Sequence, residues 1–387
     1  MRIKTLLSSF CVLIAAVALA LPATASAAPA AGPVTPACAW YELSVTTTNE
    51  SAQDSAAAEW LLPFTVQDGL QIRLDGRYPD SRYASLQAYQ SDGTLFTVNG
   101  VTSALTDYKI QPDLGSVNPW QYSPGHPWRR GNAFTVTLQS DVAPGQANTL
   151  PLAPAGTTPG TAGYLVYRVY LPADGDFSRV PLPVVTFTLD GVSQQVPACP
   201  PGTASTASAP AAPAPASTPT HLQASMPAWP AASAAAGPAT GATAQTPEFA
   251  RPLPSEGFPN ADSGYLIAVV TPPANGDVLV IRGKAPTAAR GSHPSPWPAP
   301  FIGLRYWSLC NYLLTPALPL VANPLPGGQI DYGCRYDSEV AADRYGYYTF
   351  VVGAKSPKFF AAPDGSLSSG IVHAPSRTHG CVLSVII

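Results

Sequence analysis

An all-β protein of two tandem, related β-sandwich modules joined by a Pro/Ala/Ser/Thr-rich linker is the fold the sequence predicts, and three observations predict it. Only 11% of residues are charged, while 45 are proline and 31 glycine, a composition that suits strands and turns rather than long helices. β-rich runs alternate with Asp-Gly pairs at 68–69, 75–76, 92–93, 174–175 and 190–191, where glycine takes positive φ cheaply and closes tight turns. Finally, a phrase recurs: Arg82-Tyr83-Ala84-Ser85-Leu86-Gln87-Ala88-Tyr89 reads R-Y-x-S-L-x-x-Y, and so does Arg305-Tyr306-Trp307-Ser308-Leu309-Cys310-Asn311-Tyr312. Its surroundings recur in the same order. D-x-L-x-I-R precedes it at 68–73 and 277–282, and an Asp pair follows it at Asp107 and Asp113 and again at Asp337 and Asp343. Ordered self-similarity of this kind marks a duplicated module.

The amino terminus predicts the compartment. Arg2 and Lys4 are followed by an apolar run over 6–21 and by Ala25-Ser26-Ala27, the pattern of a secretory signal peptide cleaved after Ala27. The run is too short for a comfortable membrane anchor, and no later stretch is long and apolar enough to span a bilayer. The mature chain is therefore expected to be extracytoplasmic, periplasmic or secreted. Module one then spans 28–199, the linker 200–250 and module two 251–354.

Within module one, strands are expected at 70–74, 83–89, 134–138, 164–171 and 184–189, with one short helix over 54–61. Module two offers strands at 265–271, 278–282, 306–313 and 347–352. The linker has no charged residue between 191 and 246 and cannot bury enough apolar surface to offset its ordering entropy, so it reads as a disordered, semi-stiff spacer. Residues 355–387 contain no counterpart of Tyr167-Arg168-Val169-Tyr170, which predicts an incomplete second module with a poorly ordered tail.

Five cysteines follow the signal segment. In an oxidising compartment they read as structural, Cys38 pairing with Cys199 and Cys310 with Cys334, while Cys381 is left over. In the chain-entropy model the long first loop contributes roughly 4–5 kcal/mol. No C-x-x-C occurs, and the histidines sit away from cysteine pairs except His379 near Cys381, so neither a metal nor a cofactor is expected.

Strand alternation places Tyr83, Ser85 and Tyr89 on one face and Arg82 with Leu86 on the other, and likewise Tyr306, Ser308 and Tyr312 against Arg305 and Leu309. A recurring Arg followed by a recurring Asp pair in so weakly charged a chain suggests structural ion pairs. Arg82 would meet Asp107 or Asp113, and Arg305 would meet Asp337 or Asp343. The competing reading makes Asp107 and Asp113 a general acid and base for glycoside cleavage. Aromatic residues Trp120, Tyr122, Trp128, Trp297 and Trp307 offer a platform on which a sugar could stack. Phosphate-cradling, dinucleotide, zinc-protease and nucleophile-elbow motifs are absent, and a net charge of −3 offers no reason to expect nucleic acid as a partner.

The stretch 134–189 carries Phe-Thr-Val-Thr-Leu, then Asn148-Thr149-Leu150-Pro151, Tyr167-Arg168-Val169-Tyr170-Leu171-Pro172 and Val180-Pro181-Leu182-Pro183. It resembles the carboxy-terminal domain of a family of exported bacterial proteins of unknown function, as do Tyr78-Pro79-Asp80-Ser81-Arg82-Tyr83 and the segment 113–119. The resemblance implies jelly-roll-like sandwiches and carries no catalytic residues with it. The expected function is that of a non-catalytic envelope protein, binding or structural, with a glycan or another envelope component as partner. The alternative is a polysaccharide hydrolase using paired aspartates.

Overall fold

The computed structural model describes residues 32–50, 52–122, 131–154, 156–203, 248–251, 259–273, 277–315, 318–325, 327–353, 370–373 and 381–386. The signal segment and almost all of the linker lie outside these residues. In the first half the strands are β1 (Tyr41–Leu43), β2 (Ala57–Thr65), β3 (Gln71–Arg77), β4 (Ser81–Gln90), β5 (Thr97–Val98) and β6 (Val101–Thr102). They continue with β7 (Ala104–Thr106), β8 (Ala133–Gln139), β9 (Thr149–Pro151), β10 (Ala162–Pro172), β11 (Val184–Leu189) and β12 (Val192–Val196). The second half holds β13 (Tyr265–Val270), β14 (Val278–Lys284), β15 (Ser308–Leu313), β16 (Ala322–Pro324) and β17 (Ile330–Tyr332). It ends with β18 (Cys334–Tyr336), β19 (Tyr347–Gly353), β20 (Gly370–His373) and β21 (Cys381–Ile386). Among the described residues the helical pieces are single 3-10 turns, so the protein is all-β as the composition predicts.

One sheet of the first half runs β1-β2-β10-β4-β7 and the other β12-β11-β3-β8-β9. Alternate residues of both sheets enter a single core: Leu62, Leu86 and Tyr167 from the first, Ile72, Val136 and Phe187 from the second. This is the face-to-face packing of a sandwich. The second half runs β13-β21-β15-β18 against β14-β19-β20. Its smaller core gathers Ala268, Leu309, Trp307 and Phe350, with Leu279 and Ile281 packed on it.

The strand order of one half recurs in the other. β4 lies between β10 and β7 as β15 lies between β21 and β18, and β8 pairs in parallel with β9 as β19 does with β20. Register recurs as well: Ser85 faces Thr106 in the first half, and Ser308 faces Tyr336 in the second. Strands β1, β11 and β12 have no counterpart among the described residues.

Two expectations are corrected. Residues 54–61 are not a helix. Ala57–Thr65 is strand β2, paired with β1 on one side and β10 on the other. Its buried run of small and apolar residues mimics helical periodicity because both of its faces are covered. Nor does the tail lie wholly outside the second sandwich. The backbone of Cys381–Ile386 forms the strand between β13 and β15 and pairs with both, while residues 354–369, 374–380 and 387 lie outside the described residues. A strand that arrives last in sequence takes the central position that β10 holds in the first half.

The predicted disulfides both form: Cys38 with Cys199, bracketing the first half, and Cys310 with Cys334, across the β15–β18 pair. No described helix is long and apolar enough to cross a membrane.

Because β13 and β15 are joined only through β21, a chain ending at residue 380 should lose the second sandwich. Limited proteolysis read by mass spectrometry is expected to degrade 259–353 while the first half stays resistant. Equal resistance of the truncated and full chains would refute the central placement of β21.

Candidate functional site

The recurring phrase is the seam between the halves. Leucine and alanine side chains of β4 point into the first core, yet the opposite face is covered too, and every residue from Ser81 to Tyr89 is buried. What covers that face is the other half. Gln87 donates to Asn260 Oδ1 at 2.7 Å and accepts from the Ala261 amide at 3.0 Å, and Tyr89 donates to the Pro259 carbonyl at 2.9 Å. The exchange is mutual. Asn49 brackets Leu320 with two hydrogen bonds, 3.0 and 2.9 Å, and Val45 packs beside Cys310 and Tyr312 on the outer face of β15. The segment leading into β2 in the first half, and the one leading into β13 in the second, thus each pack against the repeated phrase of the other half.

At the centre of the seam the ion pairs are exchanged. Arg305 grips Asp107 through two parallel bonds of 2.6 and 2.7 Å, and Arg82 Nη1 holds both oxygens of Asp337 at 2.6 and 2.7 Å. Each aspartate stays tied to its own half by a backbone amide of the phrase: Ala84 N donates to Asp107 at 2.6 Å, and Trp307 N to Asp337 at 3.2 Å. Each arginine also reaches the other's carbonyl, Arg305 to Arg82 O at 2.5 Å and Arg82 to Arg305 O at 3.5 Å. The expected residues therefore form ion pairs with the partners interchanged, because the aspartate carboxylates point across the seam. The second Asp of each pair stands apart. Asp113 accepts from Thr135 at 3.2 Å, and Asp343 pairs with Arg282 at 2.5 Å.

A second exchanged set was not foreseen. Asp54 accepts from the Tyr306 and Ser308 hydroxyls, both at 2.6 Å, and Asp262 accepts from the Tyr83 hydroxyl at 2.9 Å and from Thr106 at 2.7 Å. The signal was present in the sequence: Asp54-Ser55 and Asp262-Ser263 each stand three residues ahead of a strand, β2 and β13. Arg168 was also passed over. It lies beneath β4, paired with Glu59 at 2.8 Å and bonded to the Tyr89 hydroxyl at 2.5 Å.

Electrostatics follow from burial. Burial pushes the Asp54 carboxyl above its ordinary value of 3.8, against hydrogen bonds from Ser308, Tyr306 and the Ala56 amide that pull it down. Burial also raises Asp107, outweighing the pull of Arg305. Asp54 stands beside Cys310 and Cys334, a trio close enough to hold an ion, but the two sulfurs are joined in the disulfide.

The aromatic platform is not assembled as expected. Trp120 and Trp307 are core residues, 0% and 4% exposed, and Tyr122 is 84% exposed. Trp128 lies outside the described residues. Trp297 lines a cavity of about 270 Å³ that opens on the seam between Tyr83 and Tyr170 of the first half and Asn260, Asp262 and Arg305 of the second. Arg305 lies 5.0 Å from the centre of the Tyr83 ring and 5.8 Å from that of Trp297.

Removing one member of a buried pair leaves an uncompensated charge, so Arg82→Ala or Asp337→Ala should each cost about 3–5 kcal/mol. Urea unfolding of a double-mutant cycle is expected to show coupling of about 1 kcal/mol or more between residues 82 and 337. Stronger coupling between 82 and 107 would contradict the exchange.

The raised Asp54 carboxyl has a signed consequence. A group whose folded-state value is raised supplies its full contribution below the unfolded value, 3.8, and loses it as pH rises through the folded value. The wild type should therefore lose stability relative to Asp54→Asn as pH increases from about 4 to 7. Thermal melts of both proteins across that range check this, and parallel curves would contradict it.

Comparison with known proteins yields no family model that matches the chain and no match among curated proteins. Two of the solved structures similar to this chain illustrate the likeness. An uncharacterised protein from Burkholderia cenocepacia has 11% identity and a TM-score of 0.48, with 91% of this chain and 78% of that one covered. The VPA0106 protein from Vibrio parahaemolyticus has 12% identity and a TM-score of 0.41, with 86% and 84% covered.

Proposed function

We propose that this is an exported, non-catalytic binding protein of the cell envelope, made from one duplicated sandwich whose two copies are locked face to face. The observation that carries this reading is the seam cavity, a concave, aromatic-walled space to which both halves contribute. The disulfides are compatible with an oxidising compartment and support export.

The saturation of Asp107 supports binding over catalysis. An ionised carboxylate offers about four acceptor sites. Oδ1 of Asp107 receives Arg305 Nη1 and the Tyr108 amide, while Oδ2 receives Arg305 Nη2 and the Ala84 amide. A general base needs a lone pair facing its proton, and a general acid needs a proton that the guanidinium opposes. Hydrolysis by Asp107 with Asp113 is the second reading, and it requires this arrangement to come apart.

A glycan array on the exported chain, run beside a reducing-end assay on the same polysaccharides, separates the two. Binding without turnover is the expected result. Release of reducing ends that disappears in Asp107→Asn or Asp113→Asn would establish the hydrolase instead.

A further inference from the structure

The walls of the seam cavity contain polar atoms that the fold leaves unused. Asn260 is 3% exposed, and its carboxamide orientation follows from the network around it. The Asp262 amide can only donate, and it donates to Asn260 Oδ1 at 3.1 Å. The Ala261 amide likewise donates to Gln87 Oε1, which turns Gln87 Nε2 toward the same Asn260 oxygen at 2.7 Å. Asn260 Nδ2 is thereby left as a donor with no partner among the described residues. Asp262 is unused in the opposite sense. Tyr83 and Thr106 both donate to Oδ2, and Oδ1 receives no described donor. The Tyr170 hydroxyl, on a side chain that also lines the cavity, has no described hydrogen-bond partner. Asp262 is exposed and these atoms open on the cavity, so a wall with a free donor beside a free acceptor is complementary to a ligand presenting both in place of solvent.

Charge narrows the class. An organic cation on these rings would be repelled by the like charge of the Arg305 guanidinium, which lies 5.0 Å from the Tyr83 ring centre and 5.8 Å from that of Trp297. A neutral ring on the other face of Trp297 does not meet that repulsion. An anion would seek Arg305, whose guanidinium is engaged by Asp107 and the Arg82 carbonyl, and it would meet the Asp262 carboxylate. What remains is a neutral molecule whose hydroxyls both donate and accept and whose ring offers an apolar face. At about 270 Å³ the space is smaller than the ≈ 300–1,000 Å³ typical of drug-sized sites, which fits one ring rather than a chain.

We propose that the seam cavity seats a single neutral sugar ring, one hydroxyl donating to Asp262 Oδ1, a neighbouring one accepting from Asn260 Nδ2, and one ring face lying on Trp297. This rests on the binding reading above and gives it a site and a ligand class. Neither half alone forms that seat, since Tyr170 comes from the first and Asn260, Asp262 and Trp297 from the second.

The test is ligand-observed NMR on the full exported chain with free glucose, galactose, mannose and N-acetylglucosamine, and with tetramethylammonium and acetate as charged probes. At least one sugar is expected to bind at one site and to displace no charged probe. Its affinity should fall about ten-fold or more in Asp262→Asn and in Trp297→Ala, with Trp297→Phe retaining most of it. Tyr170→Phe, which removes a single oxygen from a packed ring, serves where the other variants fail to fold, and should weaken binding by about three-fold or more. Sugar binding that survives all of these substitutions would overturn the site while leaving the binding function intact. No binding of any probe, together with no glycan captured on the array, would overturn both. Tetramethylammonium or acetate binding that the same substitutions abolish would replace the sugar with a charged ligand.

Discussion

The exchange of two buried arginine–aspartate pairs across the seam is the constraint on which the rest of the structure depends. Arg82 and Arg305 carry two of the few charges in a chain that is 11% charged, and both side chains are at most 10% exposed. Desolvating a guanidinium and a carboxylate costs several kcal/mol per ion and is recovered only in near-ideal geometry. The geometry here meets that condition, because each carboxylate is also held by a backbone amide of its own half. If the halves separated, all four charges would have to rehydrate, while each carboxylate would keep the backbone amide of its own half. The pairs therefore say less about total stability than about which faces meet and in what register.

That register explains why the same eight residues serve both cores and the interface. Alternation sends Leu86 and Leu309 inward, each to its own core. It sends Tyr83 and Tyr306 outward, where they meet Tyr170 edge-on at ring distances of 5.4 and 5.0 Å. A one-residue slip in either strand would turn the leucine out of its core and the tyrosine into it, and would carry the arginine away from its carboxylate, so the two requirements reinforce each other. The seam is not symmetric in detail. Cys310 occupies the place of Gln87 in the phrase and is tied to Cys334, whereas Gln87 bonds to Asn260. Thr106 likewise faces Ser85 where Tyr336 faces Ser308. The seam cavity is lined by Thr106, on the side where threonine stands in place of the larger Tyr336 and where no disulfide crosses the strands.

Much of this was legible from residues alone, for identifiable reasons. Strands such as β4, β8, β10 and β11 announce themselves through alternation and Asp-Gly turns, and the cysteine pairing follows from position within each half. The residue types of the ion pairs were equally clear, but their partners were not. Sequence order places Asp107 near Arg82, whereas the carboxylate belongs to its own half through a backbone amide and to the other half through its side chain. Periodicity also misled at β2, whose two covered faces erase the polar alternation of an ordinary strand. Trp120 and Trp307 looked like a binding surface because aromatic residues cluster near them in sequence, and only the packing shows that they fill cores.

Locking two sandwiches through buried charge has a consequence for chemistry as well as shape. Polar side chains used to align the seam are unavailable for proton transfer, and in this chain the alignment consumes Asp107 and Asp337. Asp54, though buried and raised, is likewise filled by two hydroxyls and an amide. Among the described residues, Asn260 Nδ2 and Asp262 Oδ1 are two groups that the faces do not match, and they occur where the halves part around an aromatic wall. An interface aligned by its charges thus holds an unmatched donor beside an unmatched acceptor, and on that juxtaposition the proposed sugar seat rests.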